Sequence, residues 1–257
     1  MAFKKLKFWF DKELAILLAD KIMVHQPSFN KKRFAKSVDQ KTEGLELKDR
    51  VEVICDELYV ELGKKYSTGI QVLLQSLGPE NEKETGMFSD FYWVMPIAKY
   101  VEKYGHSDFE LSMQALAEVT KRNTSEYAIR PYLTAHTDKT LKMMKAWSKD
   151  KNFHLRRLAC EGLRPRLPWA SKLDIFIENP KKILPILEEL KDDERKYVQK
   201  SVANCVNDIF KDNFEVGKAL IEKWNGKKIS PARKWIIKHA LRNLIKKEDV
   251  WAMQVVE

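Results

Sequence analysis

Apolar residues recur along this chain at the three-and-four spacing of helices almost from end to end, and strand-like alternation is scarce. The clearest window is residues 152–170, NFHLRRLACEGLRPRLPWA, where Leu155, Leu158, Ala159, Gly162 and Leu163 form one packed stripe. Pro165 is expected to stop that helix, because its ring clashes with the carbonyl four residues back. Nearer the start, Leu14, Leu17, Leu18 and Ile22 predict a first packed helix. Ser28 or Asn30 is the N-cap of a basic helix, and helical patterns continue over 47–63 and 67–77. Gly78-Pro79 through Gly86 reads as an acidic, exposed loop. Pro96 suits the first turn of the next helix, and Asp108 caps FELSMQALAEVTKR after it. Thr124 or Ser125 is expected to cap SEYAIRPYL, with one further helix over 137–149.

These helices repeat. Glu126 and Arg130 stand four apart with Pro131 next, and Glu161, Arg164 and Pro165 do much the same later; the offsets are 161 − 126 = 35 and 165 − 131 = 34. Residues 196–210 and 232–245 align at the same period, with Val198 opposite Ala232, Val202 opposite Ile236 and Val206 opposite Ala240. Helix pairs at that period predict an all-α protein, an α-solenoid of about six HEAT-like pairs. The expected layout is a single repeat domain over 1–257, curved around a basic concave groove. Equivalent positions in adjacent repeats would lie about 8–10 Å apart, the spacing of packed helices. Glu126 and Glu161 are therefore expected to be neighbours, with Arg130, Arg157 and Arg164 around them.

Charge sharpens the picture. Lys and Arg number 47 against 37 acidic residues, a net +10 that favours an anionic partner such as nucleic acid or an acidic membrane. Residues 226–247 hold Lys227, Lys228, Arg233, Lys234, Lys238, Arg242, Lys246 and Lys247 with no acidic residue, which suits a phosphate-tracking groove. No apolar run approaches the ~20 residues that cross a bilayer, and acidic residues interrupt the basic N-terminal start, so no secretory signal is expected. Surface attachment of the first helix to a membrane is the lesser alternative to packing. The three cysteines, Cys55, Cys160 and Cys205, are far apart, and the five histidines show no ligand spacing. Reduced thiols in the cytoplasm are expected, with no metal and no cofactor.

The candidate chemistry sits in the window already singled out. Arg157, Glu161 and Arg164 fall one above another on a helix, and Arg166, Pro168 and Trp169 follow in a turn. Intrahelical ion pairing on a solvated face accounts for one such pair; four charged residues beside a Trp go beyond it. Asp90 and Trp93 open another helix, where aromatics are more often core than ligand-stacking.

SEYAIRPYL, HLRRLACEGLRPRLPW and the helical repeats resemble the HEAT-like DNA alkylation-repair glycosylases of the AlkC/AlkD family, closest to the AlkC branch. The resemblance covers nearly the whole chain and is most specific in RRLACEGLRPRLPW. It implies base excision repair of duplex DNA: hydrolysis of the N-glycosidic bond of cationic alkylated bases, namely 3-methyladenine, with 3-methylcytosine and 7-methylguanine as further substrates. It implies catalytic positions at Glu126, Glu161, Arg157 and Trp169. Arg130, Arg164, Arg166, Lys234, Lys238 and Arg242 are expected to hold DNA phosphates, with Asp90 and Trp93 as further candidates near the lesion. The lesion would be approached along the backbone, without a deep pocket for a flipped base. The chain is expected to act as a monomer at the nucleoid, and to lack the C-terminal immunoglobulin-like domain of some relatives. The rival readings are a non-catalytic HEAT scaffold and a DNA-structure-binding protein without activity.

Overall fold

A computed structural model describes residues 4–257. Among the described residues every regular element is helical, and two compact units meet in sequence between Ala128 and Ile129.

The first unit contains α1 (Lys12–Met23), α2 (Lys31–Lys41), α3 (Leu47–Glu61), α4 (Tyr66–Gln75), α5 (Met95–Tyr104) and α6 (Phe109–Thr120). Each helix packs on a chain neighbour, and α3 lies between α2 and α5. Local chemistry fixes the starts. Asp11 accepts from the amides of Glu13 and Leu14, Asn30 from Arg33 and Asp108 from Leu111, each satisfying donors a helix start leaves orphaned. Leu14, Leu18 and Ile22 are buried as the spacing predicts, whereas Leu17 stays 38% exposed. The acidic stretch after Leu77 is a loop, anchored where the Asn81 amide donates to the Lys121 carbonyl at 2.9 Å.

One expected cap is corrected. Neither Thr124 nor Ser125 starts a helix at SEYAIRPYL; their side chains brace a turn instead. Ser125 Oγ donates back to the Leu116 carbonyl and accepts from Thr120, while Thr124 Oγ1 accepts from the Glu126 amide. Residues 126–129 form turns, and the helix opens at Arg130 with Pro131 in its first turn.

The second unit begins with that helix, α7 (Arg130–Ala135), followed by α8 (Thr137–Trp147), α9 (Phe153–Glu161), α10 (Asp174–Glu178) and α11 (Leu184–Leu190). It continues with α12 (Lys196–Asp212), α13 (Phe214–Trp224), α14 (Pro231–Ala240), α15 (Arg242–Ile245) and α16 (Val250–Val256). Its spine is α12, which packs against α9, α11, α13 and α14. Val198, Val202 and Val206 are buried on α12, as are Ile236 and Ala240 on α14, so the 34-residue sequence offset becomes a helix–helix seam. Side chains also tie one repeat to the next. Asn207 donates to the Ala240 carbonyl at 2.7 Å, Trp224 to Glu188 at 2.9 Å, and Asn213 to the Ile177 carbonyl at 2.6 Å. These links span 33, 36 and 36 residues respectively. Among the described residues no helix is long and apolar enough to cross a membrane.

Close packing on α13 gives a test. A Cβ at Gly217 would stand 2.8 to 3.0 Å from three ring atoms of the buried Phe210. Alanine is the better helix former by roughly 1 kcal/mol, but overpacking costs about 1–3 kcal/mol, so the clash should win. Gly217→Ala is expected to lower the urea midpoint of this protein; a raised midpoint would show that Phe210 moves aside freely.

Candidate active site around Glu161

The Asn152 side chain caps α9 by accepting from the His154 amide at 2.9 Å, and Leu155, Leu158 and Ala159 pack inward. The helix then ends at Glu161, four residues before Pro165 rather than against it. Gly162 follows, still in the helical backbone region, and its missing Cβ permits close packing. A Cβ there would lie 2.6 Å from Ile129 Cγ2 and 3.1 Å from Met144 Cε, so the chain passes closer to α7 and α8 than any side chain permits. Amide bonds from Leu163 to Cys160 and from Arg164 to Glu161 tighten the exit into a turn.

That early end puts Arg164 beyond the helix, yet its guanidinium still reaches back. Arg164 Nη1 donates to Glu161 Oε1 at 2.8 Å, and Arg157 Nη2, one turn earlier, stands 3.7 Å from the same oxygen. Ser201 on α12 donates its hydroxyl to Glu161 Oε2 at 2.6 Å. The other edge of Arg164 is taken by Asp208, also on α12, with Nε to Oδ2 at 2.9 Å. Arg157 lies 4.6 Å above the Tyr197 ring, a cation–π contact that keeps its head beside α12.

Glu161 is only 5% exposed. Burial by itself pushes its carboxyl up, but Arg157, Arg164 and the Ser201 hydroxyl outweigh that and hold it below the usual carboxylate range. Burial likewise disfavours the Arg164 charge, and Glu161 and Asp208 more than restore it. The two guanidiniums face two carboxylates, so Glu161 remains an ionised acceptor in a nearly balanced cluster.

Trp169 lies eight residues past Glu161 on a loop that is held at several points. Arg130, itself 5% exposed, donates from Nη1 to the carbonyls of Gly162 and Arg164 at 3.1 and 2.9 Å and from Nη2 to that of Ser171 at 2.6 Å. The Leu173 amide closes on the Pro165 carbonyl at 3.1 Å. Within this loop Trp169 has φ +64° and is 64% exposed. A bulky non-glycine residue in the left-handed region costs about 1–3 kcal/mol, and such strain concentrates where a side chain must be displayed.

The other expected site residues fall in different settings. Arg130 and Arg164, expected on phosphates, are instead buried and committed, the first to three carbonyls and the second to two carboxylates. Arg166 is half-buried in a two-point pair with Asp212 at 2.7 and 2.5 Å. Lys234 and Lys238 are exposed on α14, and Arg242 is half-buried, donating to the His239 carbonyl and to Asn204. In the first unit Glu126 is buried, and Thr124 Oγ1 donates to its Oε2 at 3.0 Å. Trp93 is a core residue with the Lys21 ammonium 4.4 Å above its ring, and Asp90 is exposed beside Lys83. Sequence reading missed Ser201 and Asp208. Their signal is present, as two polar residues seven apart among the buried positions of an otherwise largely apolar helix face.

Residues 32–244, most of the chain, match the family model described as DNA alkylation repair enzyme. The chain belongs to that family. It is 38% identical over 250 residues to the uncharacterized protein YhaZ of Bacillus subtilis (strain 168), a match covering 96% of this chain and 67% of the relative. It also resembles the Pseudomonas fluorescens alkylpurine DNA glycosylase AlkC, solved bound to DNA containing an abasic site analog. That likeness has a TM-score of 0.89 at 35% identity and covers 99% of this chain and 68% of the other. Among the described residues of this DNA alkylation repair enzyme, no three His, Cys, Asp or Glu side chains converge as metal ligands.

Arg164 is the cation that Glu161 and Asp208 share, so removing it strands two buried carboxylates. Arg164→Met is expected to cost about 3–5 kcal/mol, read from chemical denaturation at neutral pH. A carboxyl depressed in the folded state adds stability above its unfolded value, which is lost as pH falls through the lower folded value. Glu161 thus helps wild type down to a pH below the usual carboxylate range. In Arg164→Met the acid-unfolding midpoint, followed by circular dichroism, should move to higher pH.

Proposed function

We propose that this DNA alkylation repair enzyme is a monofunctional DNA glycosylase that releases cationic alkylated bases from duplex DNA. Its first substrate is 3-methyladenine, with 3-methylcytosine and 7-methylguanine in the same chemical class. The supporting observation is a buried carboxylate, Glu161, held ionised by Arg157, Arg164 and Ser201 close in sequence to a strained, exposed Trp169.

Methylation at a ring nitrogen makes the base cationic, so it leaves as a neutral molecule with the electrons of the C1′–N bond. No acid has to protonate it. The barrier lies at the sugar, which becomes oxocarbenium-like as that bond stretches. A carboxylate fixed beside it stabilises the developing positive charge and orients the water that adds to C1′, accepting the proton that water gives up. A preorganised, buried carboxylate does this better than a solvated one, because its dipoles need no rearrangement at the moment of reaction. The exposed face of Trp169 attracts the same cationic character. Glu126 is assigned a parallel role on the strength of the sequence repeat. Hydrolysis needs no amine nucleophile, so the product is an abasic site.

Glu161→Gln and Glu126→Gln are each expected to fold, and to bind duplex DNA as well as wild type or slightly better, since a negative charge is removed. Excision of 3-methyladenine should fall by roughly 10²-fold or more in each, measured as single-turnover base release at saturating protein. If both act on one oxocarbenium, the double variant should lose less than the product of the single effects. Wild-type excision rates in both single variants would make a non-catalytic DNA-binding scaffold the better account. Binding to duplex DNA should also weaken steeply with added salt, because Lys and Arg contacts release counterions from the phosphates.

A further inference from the structure

The second unit carries a cationic strip outside the Glu161 cluster that the expected phosphate contacts only touch. On α12, Lys196 and Lys200 are one turn apart and exposed, and Asn204 continues the same line. Opposite them on α14, Trp235 and His239 stack at 4.7 Å between ring centroids and 13° between planes. The Lys196 ammonium sits 3.2 Å from the Trp235 ring centre, so the indole holds a cation and an imidazole in fixed places. Arg242 closes the end of the strip, donating to Asn204 Oδ1 at 3.0 Å and to the His239 carbonyl at 2.7 Å.

We propose that Lys196, Lys200, His239 and Arg242 form one binding site for backbone phosphates of DNA, and that occupying it loads a proton onto His239. This inference rests on the reading of the protein as a DNA-acting enzyme and adds a place and a proton to it.

Cations crowd His239. Among the described residues the charged groups that act on His239 are cations: Arg242 from the start of α15, and Lys200 and Lys196 from α12. Partial burial comes first, and together with these cations it holds the imidazole below its ordinary pKa, so His239 is neutral near pH 7 when the strip is empty. Desolvation lowers both Lys196 and Arg242, and the positive charge of Arg164 adds to it at Arg242, so an anion beside them would favour their charged forms. A phosphodiester placed among these groups supplies negative charge and an acceptor for a ring N–H, and both favour imidazolium. The carboxylate that acts on Arg242 among the described residues is Asp208, already hydrogen-bonded to Arg164. Lys234 and Lys238, each one residue before a strip member on α14, point along a different helical direction.

The sign of the pH effect follows. Binding takes up a proton wherever the bound-state pKa of His239 exceeds the free-state value. Affinity therefore rises as pH falls through the bound-state value and levels off below the depressed free-state one. One unit of difference is worth a factor of about ten in affinity.

The test is anisotropy titration of a short, undamaged, fluorescently labelled DNA duplex at constant ionic strength from about pH 8 to about pH 5.5, the range across which histidine charges. Wild type should bind several-fold tighter at the acid end, and calorimetry in two buffers of different ionisation heat should show proton uptake. His239→Gln should flatten the pH dependence relative to wild type and abolish the uptake. Lys200→Gln, at an exposed position where folding is not at stake, should weaken binding at every pH and reduce the log–log salt slope by about one. If His239→Gln keeps the wild-type pH dependence, the proton linkage is wrong. If Lys200→Gln keeps both wild-type affinity and salt slope, the strip is not the phosphate site. A wild-type protein that binds no duplex at any salt would sink the glycosylase reading itself, a result distinct from either.

Discussion

Arg164 has two edges, and the unit after Ile129 depends on both being used. One edge holds Glu161 at the end of α9 and the other holds Asp208 near the end of α12. Without the guanidinium, two carboxylates would be buried close to one another's helices, offset by Ser201, Lys211 and Arg157. With it, the charges balance where water is excluded, and each carboxylate keeps a defined orientation. The ion network therefore sets the register of α9 against α12 in the way a well-chosen polar contact sets register in a coiled coil. Whatever chemistry Glu161 performs is delivered by a residue whose position is also a condition of the fold.

Much of this was legible in the sequence because helical periodicity reports burial directly. The stripe Leu155, Leu158, Ala159 and the aligned Val198, Val202, Val206 against Ile236 and Ala240 are buried as read. The N-cap Asp108 was equally plain, and of the two candidates Ser28 and Asn30 the structure uses Asn30. What the pattern concealed was where helices end. The two segments that look alike, with Glu, Arg and Pro in the same order, differ in structure: Pro131 opens a helix and Pro165 follows one already finished at Glu161. Proline is compatible with both, and the decision rests on tertiary contacts. Gly162 must pass Ile129 and Met144, and Ser125 is drawn back to Leu116, neither of which a local window contains.

Arginine was the least legible residue type. Basic side chains near a candidate anion site invite assignment to phosphate, yet a guanidinium has five donors and suits carbonyl-rich turns equally well. Arg130 spends its donors on Gly162, Arg164 and Ser171, drawing together the start and end of the loop that carries Trp169. It shapes the display of the aromatic ring without being on display itself. Lysine and histidine, which lack that planar fork, remain at the surface of α12 and α14, where the strip beside Trp235 lies.

The left-handed backbone at Trp169 sets fold stability and display of the ring against each other at a single position. Glycine or asparagine would occupy that φ with less strain, so a search for sturdier variants scored only on unfolding would tend to discard the indole. Such a search would enrich molecules whose loop is relaxed and whose exposed aromatic face is gone.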